Sequence, residues 1–323
     1  MRKKILSIGE ALIDFTPEET GCEIKQVQGF RPMVGGAPTN VCGAVAKLGG
    51  ESMMITQLGQ DPFGDKIVEY LEEYHVDTSL IQRTTMANTA LAFVSLKSDG
   101  DREFSFYRKP SADMLLEKTS IKEAWFSEAY ALHFCSLELV DAPVKAAHVQ
   151  AIEYAKKHQC VISFDPNVRL PLWETPEACK TAIREFIPYA DILKIADEEL
   201  ELITGCTDIK QAKEQLFQGN LKLLIYTKGS DGAEVYTANG VHVDLASNKV
   251  KAVDTTGAGD AFIGAFLYHL STDGVEVDQL GDISEEKIIE YTTFANRFCE
   301  YSVQRHGAIA SYPTMEEMQD RKR

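Results

Sequence analysis

Short apolar runs alternate with longer amphipathic stretches along most of this 323-residue chain. Each apolar run has the length of a buried strand, and each amphipathic stretch has the period of a helix that packs through one face. Strands that alternate with helices pair in parallel, and helices then cover both faces of the sheet. Because no Pro/Gly/Ser-rich linker divides the chain, we expect one α/β domain over residues 1–323, with a mostly parallel sheet sandwiched by helices. The predicted strands are residues 5–8, 52–57, 131–134, 161–164, 192–195 and 223–227, and the predicted helices are residues 39–48, 64–74, 144–157, 176–186 and 209–217.

Two insertions, at about residues 11–33 and 88–108, interrupt this alternation. In the second, residues 89–96 and 102–107 alternate polar and apolar side chains around an Asp-Gly turn at residues 98–101. This pattern predicts a half-exposed β-hairpin. We expect the two insertions to pair into a small β-sheet at one edge of the main domain. The pattern leaves two roles open for this sheet, a lid over an active site and the surface of a homodimer.

The charge balance limits the classes of partner. The chain has 33 Lys and Arg against 49 Asp and Glu, a net charge of −16, whereas nucleic-acid binders carry a basic surface. Its apolar runs are far shorter than the ~18 residues that span a bilayer. The first apolar run ends at Glu10 without a signal-peptide cleavage pattern. Seven scattered cysteines without a C-x-x-C pair indicate a reducing compartment. We therefore expect a cytoplasmic protein that binds neither nucleic acid nor membrane.

The strongest local signal is residues 253–262, VDTTGAGDAF, which open an apolar helical run over residues 258–270. A Gly257-Ala258-Gly259 helix start exposes backbone N–H groups, and the helix dipole adds partial positive charge, so this segment can cradle an anion. Asp260 lies just inside the cradle, where its carboxylate can accept a proton from a nucleophile. An ordinary helix N-terminus, with glycine for close packing and aspartate for the dipole, is the alternative interpretation.

Two further segments carry groups suited to small ligands. Gly35 and Gly36 precede a helix that begins with Pro38-Thr39-Asn40, so a ligand can approach the backbone, and Asn40 offers a donor and an acceptor to hydroxyl groups. Asp14 can accept hydrogen bonds from a vicinal diol. Residues 227–232, TKGSDG, join two strand-like runs as a tight hairpin that can line a nucleotide. Simple turns explain these segments about as well. The chain contains neither a P-loop nor a G-x-G-x-x-G fingerprint after its first strand.

Three motifs stand in the order and spacing of a known family: Gly35-Gly36 with Asn40, residues 59–64, and residues 254–260. Together they resemble the signatures of the ribokinase-like (pfkB) carbohydrate kinases, and the resemblance covers essentially the whole chain. Within that family, the segments 106–113 (FYRKPSAD), 164–169 (FDPNVR) and 302–308 (SVQRHGA) are most similar to fructokinases.

The resemblance implies a role for individual residues. Asp260 would be the catalytic base, and Gly257, Ala258 and Gly259 would form the anion hole. The sugar-binding positions would be Asp14, Gly35, Gly36, Asn40, Arg108 and Arg169. The nucleotide-binding positions would be Thr227, Gly229, Gly232 and Asn296. A monovalent-cation site, for K⁺, would be formed around Asp254, Thr256, Ser302, Gly307 and Ser311.

One position departs from the family pattern. Where the family usually has N-x-x-E, this chain has Ala196-Asp-Glu-Glu199. Glu199 keeps the acid that would hold Mg²⁺ through water, but Ala196 has no amide to contact phosphate. The asparagine's role therefore has no counterpart at this position.

The implied activity is transfer of a phosphoryl group from ATP to a small sugar, with fructose converted to fructose 6-phosphate. A 2-keto-3-deoxygluconate kinase of the same family is the alternative, because Arg108 and Arg169 could hold an acid sugar's carboxylate. Salt bridges at the surface or in the lid are a further interpretation of these arginines. A catalytically silent sugar sensor is an alternative of another class, which loss of Asp260 or of the anion-hole glycines would favour. The chain retains all of them.

Overall fold

The computed structural model describes residues 3–19, 21–96 and 102–320. In chain order the strands are β1 (Lys4–Ile8), β2 (Leu12–Pro17), β3 (Phe30–Gly35), β4 (Ser52–Ile55), β5 (Gln57–Gly59), β6 (Gln82–Thr84), β7 (Ala90–Leu96), β8 (Arg102–Tyr107), β9 (Ala129–Cys135), β10 (Val161–Asp165), β11 (Ile192–Ala196), β12 (Leu223–Thr227), β13 (Ala233–Thr237) and β14 (His242–Leu245). The α-helices are α1 (Ala37–Lys47), α2 (Pro62–Glu73), α3 (Pro143–Lys157), α4 (Pro176–Phe186), α5 (Asp197–Thr204), α6 (Ile209–Leu216), α7 (Ala258–Asp273), α8 (Glu285–Ser302) and α9 (Met315–Asp320).

The main sheet has the strand order β14-β13-β12-β11-β10-β9-β1-β4. Strands β4, β1, β9, β10, β11 and β12 pair in parallel, while β13 and β14 are antiparallel. The predicted strand at residues 52–57 is wrong in its extent, because β4 ends at Ile55. After β4, Gln57 pairs with Gln82 in a separate two-stranded sheet. The single run at residues 52–57 therefore contributes a strand to each of two sheets.

Alternate residues of each parallel strand face two separate apolar layers. In β1, Ile5 packs in the layer formed with α1, α2, α7 and α8, while Leu6 packs in the layer formed with α3, α4, α5 and α6. Ile192 and Leu193 divide in the same way in β11. A strand buried on both faces has a continuous apolar sequence, which is why these runs show no polar alternation. The predicted helix–sheet–helix sandwich is confirmed.

The sequence pattern does not predict α5 and α8. α5 has only eight residues and begins with three acidic ones. α8 buries Thr292, Asn296 and Ser302 among its apolar contacts, which weakens the apolar period in its sequence. By contrast, the predicted hairpin at residues 227–232 is confirmed, since Thr227 pairs with Ala233 across an antiparallel turn.

The two insertions form a second sheet with the order β3-β2-β7-β8. The first insertion supplies β2 and β3 and the second supplies β7 and β8, and the parallel pairing of β2 with β7 joins them. The predicted pairing of the insertions is therefore confirmed. Phe15 stacks on Phe93, which also contacts Phe30 and Tyr107 edge-on. The predicted Asp-Gly turn at residues 98–101 lies outside the described residues.

Helices α1 and α7 pack closely on the same face of the main sheet. A Cβ on Gly264 of α7 would lie 2.6 Å from Cβ of Ala44 in α1, so glycine at this position permits the close approach of the helices. Both helices begin after a glycine, Gly36 for α1 and Gly257 for α7. This packing brings two helix N-termini together. Within the described ranges, no helix has both the length and the apolar character needed to cross a membrane.

Candidate active site

The N-terminus of α7 is the centre of the candidate site. Gly257 has a left-handed backbone, with a φ of 73°, and its carbonyl oxygen accepts a 2.8 Å hydrogen bond from the Tyr312 hydroxyl. A Cβ at this position would lie 2.6 Å from that hydroxyl oxygen and 2.8 Å from Cβ of Ala308. Glycine is therefore required by both conformation and space. The first turn that follows carries N–H groups without intrahelical acceptors, which suits an anion.

Asp260 of α7 meets Asn40 of α1 at this point, although 220 positions separate them in the sequence. Asn40 Nδ2 donates a 2.8 Å hydrogen bond to Asp260 Oδ2. Burial raises the pKa of Asp260 to about 6, and the hydrogen bond from Asn40 opposes part of that rise. A carboxylate with a pKa near the working pH can accept a proton efficiently. The predicted base and a predicted sugar-binding residue thus lie in direct contact.

Asp14 on β2, Gly35 at the end of β3 and Gly36 at the N-cap of α1 are three further predicted sugar-binding residues. A Cβ on Gly35 would overlap Asp14 Oδ2, and a Cβ on Gly36 would overlap the carbonyl oxygen of Glu10. Gly36 also has a φ of 113°, which few side chains tolerate. Asp14, Gly35 and Gly36 therefore form one surface, where the small sheet joins the main domain.

Arg108 is buried and paired with carboxylates. Its Nη2 donates to Asp113 Oδ2 at 2.8 Å and to Glu138 Oε1. Glu10 also faces this cluster: burial raises its pKa to about 7, and the Arg108 charge opposes that rise. Arg108, at the end of the second insertion, therefore forms the salt bridges that one interpretation expected, but they are buried and not at the surface, because its side chain is only 5% exposed.

Several polar atoms of this part of the molecule are buried without a hydrogen-bond partner among the described residues. They are Arg108 Nε, Glu10 Oε2, Glu138 Oε2 and Asn40 Oδ1. Buried polar atoms are rarely left unsatisfied, so such a concentration is typical of a site that binds a polar ligand.

Arg169 is half-buried in the loop after β10. Its Nη1 donates a 2.9 Å hydrogen bond to the Val168 carbonyl oxygen. The Arg169 charge also lowers the pKa of Asp260, so this guanidinium lies near the base.

Glu199 caps the start of α5 and bonds to the backbone of Ala196, the residue that stands where the family usually has asparagine. Its Oε2 accepts a 2.9 Å hydrogen bond from the Ala196 N–H, and its Oε1 accepts one of 2.6 Å from the Val168 N–H. Burial raises the pKa of Glu199, and nearby Asp165 raises it further. Asp165, at the end of β10, has a buried Oδ1 without a hydrogen-bond partner in the described part of the chain. Two buried carboxylates fit an Mg²⁺ ion that keeps most of its waters and binds phosphates.

The residues predicted to surround a monovalent cation lie on the loop before α7, at the last residue of α8 and on the loop that follows α8. Asp254 Oδ1 accepts hydrogen bonds from the Thr256 N–H and hydroxyl, and its Oδ2 accepts one from the Gly307 N–H at 2.9 Å. Ser302 and Ser311 join their hydroxyls at 2.9 Å. The loops are connected where the Asp254 N–H donates to the Val303 carbonyl oxygen at 3.2 Å.

The predicted nucleotide-binding residues fall into two groups. Thr227, Gly229 and Gly232 share the hairpin at the carboxyl end of β12. Asn296 lies on α8, which packs against β13 and β14. Among the described residues, no hydrogen bond joins Asn296 to the hairpin.

Two charged residues of the site, Lys194 and Asp165, were not predicted from the sequence. Lys194 Nζ donates to Asp165 Oδ2 at 2.7 Å, and both side chains are almost fully buried. The sequence does contain a sign of these residues, because Lys194 interrupts the apolar run at residues 192–195 and Asp165 follows directly after another apolar run. Glu10, Asp113 and Glu138 were likewise absent from the predicted site.

A glycine-capped helix N-terminus beside a buried carboxylate is the arrangement that a phosphotransferase site needs. A family model described as pfkB family carbohydrate kinase matches residues 2–315. The chain therefore belongs to the pfkB family of carbohydrate kinases, as the sequence motifs predicted.

Relatives of known name agree with this assignment. Fructokinase-2 of Solanum lycopersicum is 40% identical over 314 residues, which cover 97% of this chain and 94% of the relative. A fructokinase from Xylella fastidiosa, solved with bound ATP, has a TM-score of 0.92 at 34% identity, with 100% of both chains covered.

Two other solved structures were determined with ligands and ions. A double mutant of a fructokinase from Vibrio cholerae, with fructose, ADP and a potassium ion bound, has a TM-score of 0.85 at 29% identity and covers 99% and 98% of the two chains. An E. coli protein provisionally named ribokinase II, solved with ATP and Mg²⁺, has a TM-score of 0.84 at 27% identity and covers 98% of each chain.

The pKa of Asp260 predicts the acid limb of the pH profile. Because the base acts only when deprotonated, kcat/KM at pH 5 should be about tenfold below its value at pH 7.5. Asn40→Ala removes a hydrogen bond that lowers the pKa of Asp260, so the midpoint of the acid limb should move to higher pH. The measurement is steady-state kcat/KM across pH 4.5–8 with a pH-independent coupling assay.

Asn248→Ala, a change of an exposed asparagine, is the matched control and should leave the midpoint unchanged. An unchanged midpoint in Asn40→Ala would contradict the electrostatic link between Asn40 and Asp260.

Asp260→Asn should retain binding of both substrates while turnover falls by at least about a hundredfold.

Proposed function

We propose that this protein phosphorylates fructose with ATP to give fructose 6-phosphate and ADP. The observation that carries the proposal is the contact between Asn40 and Asp260 at the N-terminus of α7. This 2.8 Å bond joins the Asn40 amide to the buried Asp260 carboxylate, three residues after the N-cap Gly257, which supports Asn40 as a hydroxyl-binding group and Asp260 as the base. The relatives named fructokinase support fructose as the acceptor.

The proposed reaction assigns a task to each group. The fructose hydroxyl oxygen forms a bond to the γ-phosphorus while its proton passes to an oxygen of Asp260. The bond from that phosphorus to the β–γ bridging oxygen breaks, and its electron pair leaves with ADP. We assign stabilisation of the charge on the transferring group to the N–H groups of Gly257, Ala258 and Gly259. Without ligand, the Ala258 N–H donates to the Thr255 carbonyl oxygen at 3.2 Å, so it would exchange that bond for one to phosphate.

Mg²⁺ held through water by Glu199 would supply positive charge to the β- and γ-phosphates of ATP. The structure fits this role, since both carboxylates are buried: Asp165 ends β10, and Glu199 lies in the first turn of α5, directly after β11. Thr227, Gly229, Gly232 and Asn296 are the residues that we assign to the nucleotide.

The charge around Arg108 favours a neutral sugar. Arg108 already pairs with Asp113 and Glu138, and Glu10 adds a third carboxyl group to the cluster. A carboxylate of 2-keto-3-deoxygluconate beside this cluster would lack a free cation, whereas the hydroxyls of fructose can bond to Arg108 Nε and the unsatisfied carboxylate oxygens. Arg169 is the remaining guanidinium near the base, and we assign it to sugar hydroxyls as well.

A panel of sugars tests this preference. An ADP-forming assay on fructose, ribose and 2-keto-3-deoxygluconate should give a kcat/KM for fructose more than ~100-fold above that for the acid sugar, because an uncompensated buried charge costs about 3–5 kcal/mol. Asp260→Asn is the control for contaminating kinases. A higher kcat/KM for 2-keto-3-deoxygluconate would overturn fructose as the substrate and leave the kinase intact. Sugar binding without turnover of any sugar would instead favour a silent sensor.

Potassium should stimulate the reaction. The oxygen-rich loops around Asp254 and Ser302 adjoin the α7 N-terminus, so a bound K⁺ would order the anion hole. We expect kcat in potassium chloride to exceed kcat in tetramethylammonium chloride by about fivefold or more at equal ionic strength. Equal rates in the two salts would show that K⁺ has no role.

A cytoplasmic location, which we also propose, would provide both ATP and K⁺.

The small sheet is the lid in this proposal. It carries Asp14 on β2 and adjoins the α1 start, so bound fructose would contact both parts of the molecule. Fructose at saturation should slow hydrogen exchange in residues 12–17 and 90–95, because a closed lid opens less often. Unchanged exchange in both strands would refute lid closure. Pairing of two lids in a homodimer stays a prediction, which sedimentation analysis of the full chain can test.

A further inference from the structure

Lys194 is a buried cation in the middle of a parallel strand. It lies on β11 with 4% of its surface exposed, and its Nζ donates a 2.7 Å hydrogen bond to Asp165 Oδ2. Burying a lysine is costly unless its charge is compensated. Asp165 provides that compensation, but a hydrophobic pair of similar volume would avoid the cost altogether. The structure therefore retains a charge here that packing alone does not require.

The Lys194 ammonium lies against the anion cradle. A Cβ built on Gly259 would be 2.9 Å from Lys194 Nζ and 3.6 Å from its Cε. Gly259 stands in the first turn of α7, between the N-cap glycine and Asp260. The ammonium consequently lies beside Gly259, one of the residues whose N–H groups would hold the transferring phosphoryl group.

The electrostatics keep Lys194 charged. Burial by itself lowers the pKa of Lys194, but Asp165, Glu199 and Asp260 outweigh burial and leave that pKa raised. In addition, the buried Asp165 Oδ1 has no hydrogen-bond partner in the described part of the chain. Asp165 thus has one oxygen available for a further polar contact.

The strand geometry connects Lys194 with the departure at Ala196. Residues two apart on a strand project to the same face, so Lys194 and Ala196 share one side of β11. Ala196 offers no polar side chain to a phosphate. Lys194 is the cationic group on that same face.

We propose that Lys194 is a further catalytic residue, whose ammonium bridges Asp165 and the γ-phosphoryl group during transfer. This inference rests on the proposed kinase function. While the sugar oxygen bonds to the γ-phosphorus and the electron pair leaves with ADP, Lys194 neutralises charge on a non-bridging phosphoryl oxygen. It keeps its own proton, and Asp260 takes the proton of the hydroxyl.

Two variants separate catalysis from folding. Lys194→Met keeps the length of the side chain but leaves Asp165 buried and unpaired. The double variant Asp165→Asn/Lys194→Met removes both charges and therefore avoids the unpaired one. The matched control is Asp191→Asn/Lys222→Met, which removes a second Lys–Asp pair, with a 3.0 Å contact, at the amino ends of β11 and β12.

Three quantities are measured: kcat with saturating fructose, the affinity for ADP, and the affinity for ADP together with aluminium fluoride and fructose. Aluminium fluoride mimics the phosphoryl group in the transition state of its transfer. We expect both Lys194 variants to lose at least about 100-fold in kcat and in affinity for the mimic, with ADP affinity within threefold of wild type. The control pair should stay within twofold in every readout.

A double variant that melts like wild type and retains kcat and mimic affinity within fivefold would overturn the proposal, since Lys194 would then be structural. Failure of the Lys194 proposal can be told apart from failure of the proposed function, because only the wild-type protein's activity on sugars tests the proposed function. If wild type phosphorylates another sugar and not fructose, the fructose assignment fails and the Lys194 test runs with that sugar.

Discussion

The hydrogen bond from Asn40 to Asp260 is the contact on which the candidate site depends. It joins the first turns of α1 and α7, and it can form only because the two helices pack closely where Gly264 meets Ala44. A bulkier residue at Gly264 would separate the helices and with them the amide and the carboxylate. Glycines at the N-caps of both helices then leave the backbone open to ligands. The geometry of the candidate site is thus a consequence of helix packing.

Burial gives the charged groups of the site their properties. Desolvation raises the pKa of Asp260 to about 6, and the same low-polarity surroundings strengthen the pairing of Lys194 with Asp165. Arg108 is held among carboxylates in a similar way. These interactions are local, so the net charge of −16 does not prevent binding of an anionic nucleotide. Preorganised charges of this kind stabilise a transferring phosphoryl group without rearrangement during the reaction.

The sequence alone predicted the helix–sheet–helix sandwich and the small second sheet, because period and run length report burial directly. It also predicted a helix start after Gly257 with Asp260 in the first turn, since glycines before an apolar helix leave a local signature. Its failures were local as well. The run at residues 52–57 divides between two sheets, and α8 buries polar side chains that weaken its period.

Only the tertiary structure decided which distant residues meet. Lys194 and Asp165 come from different strands, and their pairing depends on the register of β10 beside β11, which no local pattern reports. Arg108 could be assigned to a carboxylate, to hydroxyls or to a salt bridge until its burial against Asp113 and Glu138 became visible. The sequence by itself determined most of the strands and helices and the glycine-rich motif before α7, because neighbouring residues encode them. The charge state and the partners of the site follow from desolvation and long-range contacts, which exist only once the chain is folded.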